Sequence, residues 1–253
     1  MVVLRDQRYP VDGGILSFDF IRPDGEGLFP LVVFLHGGGW ISGDKTMYRE
    51  EAVWMASKGF ACACIEYRLA PLYPFPVPVA DCQAFVRFAR QTSPALAVDP
   101  ARIYAMGNSA GGHLALMLGM CPESFGDTID GDCRVNAVVA VCPITDMSNP
   151  DLSADNLSLQ FLEQFMDCPF TGNEARWRKA SPSSYVNLAQ GRYLLVHGDS
   201  DDIVPVSQSR DLASHLESCG HHVRYVELPG ESHSFSYGAW MTIRETAFEF
   251  LNA

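Results

Sequence analysis

The pentapeptide Gly107-Asn-Ser109-Ala-Gly111 is the feature that most constrains how this chain folds. An apolar run ends at Met106, and a helix-like run begins after Gly111. A serine on such a sharp strand-to-helix turn takes a strained backbone conformation, so a bulkier residue two positions before or after it would clash with the backbone that crosses there. Both of these positions are glycine. The pattern therefore predicts a nucleophile elbow with Ser109 at its tip.

A glycine-rich loop supports this interpretation, because the short serine motif alone is a weak signal. The segment His36-Gly37-Gly38-Gly39-Trp40 follows directly after the apolar run 31–35. A loop of this kind can direct backbone N–H groups at an oxygen that becomes negatively charged during a reaction. The sequence thus predicts an oxyanion-binding loop near the elbow.

A serine hydroxyl needs a base, and the base needs a carboxylate to orient it. Of the seven histidines, His233 is the best candidate, because it follows the strand-like run 223–228. Spacing alone does not choose among the acids that follow the run 193–196, which are Asp199, Asp201 and Asp202. The order of serine, aspartate and histidine along the chain is that of an α/β-hydrolase.

Apolar runs alternate with helical patterns from residue 31 onward, which favours a doubly wound, mostly parallel sheet. Residues 2–9 and 14–23 precede this pattern and predict an antiparallel hairpin. Five further strands are predicted at 31–35, 60–65, 103–106, 137–142 and 193–196. Helices are predicted at 48–57, 79–91, 112–118, 207–219 and 239–251. The resulting fold class is α/β, of the α/β-hydrolase type.

Length and patterning favour a single α/β-hydrolase domain over residues 1–253, since folds of this class often reach that length undivided. The segment 146–190 departs from the alternation of strand and helix. It contains several apolar side chains and prolines, among them Pro169 and Pro182. We expect it to form a small cap inserted over the site.

The formal net charge of −12 disfavours a nucleic-acid partner, since a phosphate backbone would be repelled. The apolar runs are far shorter than the roughly 18 residues of a membrane span, so no membrane association is expected. Charged residues at Arg5, Asp6 and Arg8 leave no room for a signal peptide, which favours a cytoplasmic location. The oligomeric state stays open.

No cofactor and no metal are expected. The spacing Asp199-x-Asp201 lacks the further ligands of a calcium loop, and neither glycine cluster matches a dinucleotide-binding motif. His36 and His197 end apolar strands, and we expect them to form supporting hydrogen bonds rather than to react.

Taken together, these segments resemble the α/β-hydrolase-3 group, which comprises hormone-sensitive-lipase-like bacterial esterases and a neighbouring branch of acetyl and feruloyl esterases. The resemblance extends over nearly the whole chain and rests on the following motifs: His36 to Trp40, Gly43-Asp44-Lys45, Tyr67-Arg68, Pro71, Phe75-Pro76, Asp81, Gly107 to Ala115, His197-Gly198, Asp201, Val204-Pro205, His233 and Phe235. It implies a triad of Ser109, Asp201 and His233. It also implies oxyanion donors from the backbone of Gly37, Gly38 and Ala110.

Two features differ from the lipase-like branch. Asn108 stands where that branch usually carries an acidic residue, and the sequence predicts no long cap helices before the first parallel strand. His113 and the string from Trp40 to Lys45 are more similar to the feruloyl and acetyl esterases.

The resemblance and the motifs predict a serine carboxylesterase that hydrolyses short-chain esters of small molecules through an acyl-enzyme intermediate. An amidase, such as a peptidase or arylformamidase, is the alternative on the same triad. A non-catalytic binding protein on a hydrolase fold is a further alternative. Four aromatic residues are expected to wall the substrate pocket: Trp40, Phe161, Phe165 and Phe235.

Overall fold

In the computed structural model, which describes residues 1–126, 130–148 and 157–253, the strands form one eight-stranded sheet. Its order is β1-β2-β4-β3-β5-β6-β7-β8. The strands are β1 (Val2–Val11), β2 (Gly14–Arg22), β3 (Phe29–Leu35), β4 (Ala61–Ile65), β5 (Val98–Asn108), β6 (Ala137–Val141), β7 (Arg192–Gly198) and β8 (His222–Leu228). β1 and β2 form an antiparallel hairpin, β2 pairs antiparallel with β4, and all other neighbours are parallel. The predicted α/β fold with an antiparallel N-terminal hairpin is confirmed.

The central strands are apolar throughout because helices cover both faces of the sheet. Every residue of β4 and β6 is buried. The strand register aligns Leu35 with Gly107, and Asn108 with Val141. The carboxyl ends of β3, β5 and β6 therefore meet at one edge, which is where ligands bind in open α/β sheets.

Helices pack on the two faces of the sheet and create one apolar core on each. They are α1 (Arg49–Ser57), α2 (Val77–Gln91), α3 (Ser93–Leu96), α4 (Ala110–Met120), α5 (Leu157–Met166), α6 (Glu174–Lys179), α7 (Ser207–Ser218) and α8 (Tyr237–Asn252). Two 3₁₀ helices span Lys45–Tyr48 and Pro182–Leu188. Among the described helices, none has the length and apolar character needed to cross a membrane.

The predicted cap segment, 146–190, contains α5, α6 and the second 3₁₀ helix. Its residues 149–156 lie outside the described residues. α5 is tied to the rest of the fold by a backbone hydrogen bond of 2.7 Å from the amide of Phe75 to the carbonyl of Phe165. The division of the chain into one domain with a cap stays a prediction.

Candidate active site

Ser109 occupies a strained turn between β5 and α4, with φ of 54° and ψ of −121°. A Cβ atom added at Gly107 would lie 2.4 Å from the carbonyl oxygen of Gly111. One added at Gly111 would lie 2.0 Å from the carbonyl oxygen of Leu35. Only glycine fits at these two positions, because any larger residue would collide with backbone atoms that cannot move aside.

His233 joins Ser109 to Asp201. Its Nε2 lies 3.0 Å from Oγ of Ser109, and its Nδ1 lies 2.7 Å from Oδ2 of Asp201. An ionised carboxylate can only accept hydrogen bonds, so Nδ1 carries a proton and donates a hydrogen bond to Asp201. The unprotonated Nε2 of the neutral ring is then free to accept the hydroxyl proton of Ser109. These three side chains have the arrangement of a nucleophile, a base and an orienting acid.

The carboxylate of Asp201 is fully buried and accepts hydrogen bonds on both oxygens. Oδ1 accepts from the amides of Ile203 at 2.9 Å and Val204 at 2.8 Å. Oδ2 faces His233, and Nε2 of His197 lies 3.1 Å from it. Burial alone would raise the pKa of the Asp201 carboxyl, but hydrogen bonds from the two histidines and the two amides outweigh burial and hold that pKa well below its usual range. Asp201 is therefore ionised at neutral pH.

The two other candidate aspartates, Asp199 and Asp202, form no hydrogen bond with His233 in the described structure. Asp199 accepts a hydrogen bond of 2.7 Å from the amide of Gly230. Asp202 is exposed and borders the cavity. Among the described acidic residues, Asp201 alone bonds to His233.

The glycine-rich loop is held from beneath by His36, whose Nδ1 lies 2.8 Å from the carbonyl oxygen of Gly37. Gly38 and Gly39 border the cavity, whereas Gly37 packs against the side chain of Asn108. Within the described ranges, no hydrogen bond to protein atoms is donated by the backbone N–H groups of Gly37, Gly38, Gly39 or Ala110. The described lining of the cavity includes Gly39 beside Gly38 but does not include the predicted Gly37, and the set of oxyanion donors stays a prediction.

A cavity of about 830 Å³ opens over the triad. Of the four aromatic residues expected to wall it, Trp40, Phe161 and Phe235 do so. The described lining also includes Asn108, Ile144, Asp146, Leu159, Leu162, Pro205, Gln208 and Trp240. Trp240, which lies on α8 just after the loop of His233, was not predicted from the sequence to line the cavity.

Phe165 is the exception, and the expectation that it walls the pocket is corrected. Its ring is fully buried and stacks on Trp40 with centroids 4.4 Å apart. It therefore supports the wall from within the core. Periodicity could not separate it from Phe161, since the two lie four residues apart on α5 and their side chains point in neighbouring directions.

Trp40 connects the glycine-rich loop to α4 and to the segment after α6. Its indole N–H donates to Nδ1 of His113 at 3.2 Å, and Nε2 of His113 lies 2.8 Å from the carbonyl oxygen of Ala180. Burial lowers the pKa of His113 to about 4, so its ring is neutral and Nε2 carries the proton. This chain of donors fixes the position of the indole beside the cavity.

In the described part of the chain, one group of side chains has the donor types and spacing to hold a metal ion: Cys142, Asp201 and His233. Their ligand atoms lie within 4.8 Å of one another. Asp201 and His233 already bond to each other. Burial, reinforced by the charge of Asp201, raises the pKa of the Cys142 thiol, so Cys142 is a neutral thiol at neutral pH.

Comparison with known proteins identifies related sequences. Esterase LipC of Mycobacterium tuberculosis is 29% identical over 213 residues, which covers 81% of this chain and 53% of that protein. Isoprenylcysteine alpha-carbonyl methylesterase ICME of Arabidopsis thaliana is 27% identical over 226 residues, covering 85% of this chain and 52% of that protein. The chain thus spans about half the length of the curated relatives it matches.

Solved structures are similar over almost the whole chain. A thermophilic esterase of Thermogutta terrifontis, Est2, superimposes with a TM-score of 0.84 at 26% identity, covering 97% of this chain and 90% of that one. The same esterase phosphonylated by sarin gives a TM-score of 0.86 at 25% identity, with coverages of 97% and 94%. The family model named BD-FAE matches residues 18–216. With the elbow, the glycine-rich loop and the sheet order in agreement, this chain belongs to the BD-FAE family, in the hormone-sensitive-lipase-like group of α/β-hydrolases.

Proposed function

We propose that this protein is a serine carboxylesterase that hydrolyses small-molecule esters with short acyl chains. The observation that carries the proposal is the unbroken hydrogen-bonded series from Ser109 through His233 to Asp201 at the floor of an open cavity. The structural neighbours in the group are named esterases, and one of them is described as phosphonylated by sarin. That supports the same class of reaction here.

In the proposed first step, Oγ of Ser109 attacks the carbonyl carbon of the ester, and Nε2 of His233 takes the hydroxyl proton. The carbonyl oxygen becomes negatively charged and accepts hydrogen bonds from the N–H groups of Gly38, Gly39 and Ala110. When the tetrahedral intermediate collapses, the C–O bond to the alcohol breaks and His233 gives its proton to the departing oxygen. Asp201 stays ionised and stabilises the imidazolium.

In the second step, His233 removes a proton from water, and the resulting hydroxide attacks the acyl group on Ser109. The ester bond to Ser109 then breaks, and His233 returns the proton to Oγ. The product is a carboxylic acid and the enzyme is regenerated. The two steps together consume one ester and one water molecule.

The proposed preference for short acyl groups rests on the small amount of chain available to enclose them. Only α5, α6 and the 3₁₀ helix Pro182–Leu188 lie between β6 and β7 in the described residues. Structures of the Thermogutta esterase are described as propionate-bound and butyrate-bound, which is in line with small acids. We expect kcat/KM on p-nitrophenyl esters to peak between acetate and butyrate.

The test is Ser109→Ala, assayed on p-nitrophenyl butyrate. Because the triad works as a unit, we expect kcat to fall at least about a thousandfold. Ser207→Ala is the matched control, since Ser207 also borders the cavity but does not contact His233. A fluorophosphonate should label the wild type and the control at Ser109 and leave Ser109→Ala unlabelled. Retained activity, or labelling at another residue, would overturn the proposal.

A second assay separates ester from amide hydrolysis. The same butyryl group is offered as a p-nitrophenyl ester and as a p-nitroanilide. We expect turnover of the ester alone. Faster cleavage of the anilide would favour the amidase alternative.

A further inference from the structure

His197 is a buried histidine at the end of β7 that contacts the same carboxylate oxygen of the triad as His233. Its Nε2 lies 3.1 Å from Oδ2 of Asp201 and 3.0 Å from the carbonyl oxygen of Val204. Its Nδ1 lies 2.7 Å from Oγ of Ser209. The His197 and Ser209 side chains are fully buried. The proposed reaction steps give neither residue a part.

The contacts fix the tautomer of His197. Both neighbours of Nε2 are acceptors, because one is a carboxylate and the other a carbonyl. Nε2 must therefore carry a proton. Nδ1 of the neutral ring is then an acceptor, and the hydroxyl of Ser209 donates to it. Ser209 thus holds the ring in the orientation in which Nε2–H faces both the Val204 carbonyl and Oδ2 of Asp201.

Oδ2 of Asp201 has both imidazoles within reach. His233 donates to it at 2.7 Å, and Nε2–H of His197, which it shares with the Val204 carbonyl, lies 3.1 Å from it. The two amides of Ile203 and Val204 occupy Oδ1. His197 is consequently the one side chain among the described residues that shares with His233 the oxygen on which the base is oriented.

We propose that His197, held by Ser209, is a positioning residue of the triad: it restrains Oδ2 of Asp201 and limits the negative charge that this oxygen presents to His233. The inference rests on the proposed function, because it assigns Asp201 and His233 their roles in ester hydrolysis. Without the His197 donor, Oδ2 would bond more strongly to Nδ1 of His233 and would be free to move along it.

Other ionisable groups lie near His197 and are accounted for. Glu227 on β8 is its partner in the strand register, and the Glu227 carboxylate is paired with Arg210 at 2.6 Å and with the hydroxyl of Tyr225 at 2.6 Å. Cys142, at the end of β6, is a neutral thiol. Neither Glu227 nor Cys142 is altered by the variants proposed below.

The experiment compares two amide substitutions that differ in where they place their nitrogen. Gln at position 197 extends its amide to the place of Nε2 and can still donate to Asp201. Asn is one methylene shorter and reaches only the place of Nδ1, so the donor to Asp201 is lost. His197→Gln is therefore the matched control for His197→Asn.

The first readout does not depend on turnover. The Nδ1 proton of His233 is observed by proton NMR in the downfield region, and its resonance reports the strength of the bond to Oδ2. We expect it to move further downfield in His197→Asn and to stay near the wild-type position in His197→Gln. If the wild type hydrolysed no ester, the proposed function would fail while this comparison would still decide the role of His197.

The second readout is kcat/KM for p-nitrophenyl butyrate against pH. A more negative Oδ2 favours the protonated imidazole, so the acidic limb in His197→Asn should move to higher pH by about half a unit. Loss of one hydrogen bond to a charged group should lower kcat on the plateau about tenfold, with KM nearly unchanged. His197→Gln should stay within about twofold of wild type.

A merely structural role for His197 predicts a different result. Both variants would then melt at lower temperature, with unchanged NMR resonance and unchanged pH profile, and that outcome would overturn the proposal. An equal shift of the acidic limb of the pH profile in His197→Asn and His197→Gln would overturn the proposal too. If neither variant folds, Ser209→Ala gives the same measurement, because it releases Nδ1 of His197. In Ser209→Ala we expect a smaller downfield movement of the His233 resonance, and an unmoved resonance would contradict the proposal.

Discussion

On the strand-end side of the cavity the reacting groups are held by backbone atoms, whereas on the side of α5 the wall consists of apolar side chains. Gly107 and Gly111 leave no space for one extra methyl group, and Asp201 is fixed by two amides in addition to its imidazole partners. Phe161 and Leu162, by contrast, reach the cavity through side chains from a helix whose described backbone hydrogen bonds to the rest of the fold lie near its C-terminal end.

The difference separates the chemistry of the site from its selectivity. A backbone atom cannot be moved by a substitution at one position without distorting the strand or turn that carries it. A side chain on a short helix can be exchanged at the cost of its own packing alone. Changes on the strand-end side should therefore act on kcat, and changes on the α5 side should act on the choice of substrate.

The largest effect is expected where the carboxylate is removed. Asp201→Asn should lower kcat by about four orders of magnitude, because the neutral amide cannot stabilise the imidazolium and favours the wrong tautomer. Asp202→Asn is the matched control, since Asp202 borders the cavity without contacting His233. We expect it to retain kcat within about threefold, as most exposed substitutions do. The reverse ranking, measured on p-nitrophenyl butyrate, would transfer the role to Asp202.

A smaller loss is expected in the glycine-rich loop. Gly38 has φ of 114°, and an added Cβ would lie 2.3 Å from the carbonyl oxygen of Ser42. Gly38→Ala should displace the N–H groups of the loop and lower kcat about a hundredfold or more, the cost of one lost oxyanion donor. Gly172→Ala is the control, because Gly172 also has positive φ, 84°, but has open space around it. Gly172→Ala should lower the melting temperature and leave kcat unchanged. Similar losses of kcat in Gly38→Ala and Gly172→Ala would show that backbone strain alone causes the loss.

The same contrast explains which features could be predicted from the sequence. Strand ends and tight turns require particular residue types, so the elbow, the glycine-rich loop and the mostly parallel sheet with its N-terminal hairpin were apparent from local patterns. The choice of Asp201 over Asp202 came from family resemblance, because both follow the same strand and one residue of spacing does not show which carboxylate turns toward His233.

Features that depend on side chains from distant segments were out of reach. Gly37, Gly38 and Gly39 are the same residue type, so the sequence does not show that Gly38 and Gly39 are the two that line the cavity. Phe165 was expected in the wall because local patterns do not show that its ring stacks on Trp40, which lies more than a hundred residues away in the chain. The extension of β5 back to Val98 depends likewise on its pairing with Phe29 of β3.

The smallest effect, and the one that tests the α5 side, is expected from Phe161→Ala. The ring of Phe161 lies directly over Gly39, where an added Cβ would come within 2.8 Å of it, so the ring limits the space next to the oxyanion loop. Its removal opens room for additional methylenes of the acyl chain, each of which contributes about 0.8 kcal/mol when buried, or about fourfold in kcat/KM. The peak over p-nitrophenyl esters should therefore move from butyrate or shorter toward hexanoate, while kcat on acetate changes little.

Phe165→Ala is the control on the same helix. It removes a fully buried ring and should lower the free energy of unfolding by about 3 to 5 kcal/mol, yet it should leave the peak in place, because Trp40 keeps its bond to His113. An unmoved peak in Phe161→Ala, or an equal movement in both variants, would show that α5 does not set the acyl length, and the selectivity of the enzyme would have to be sought on the strand-end side instead.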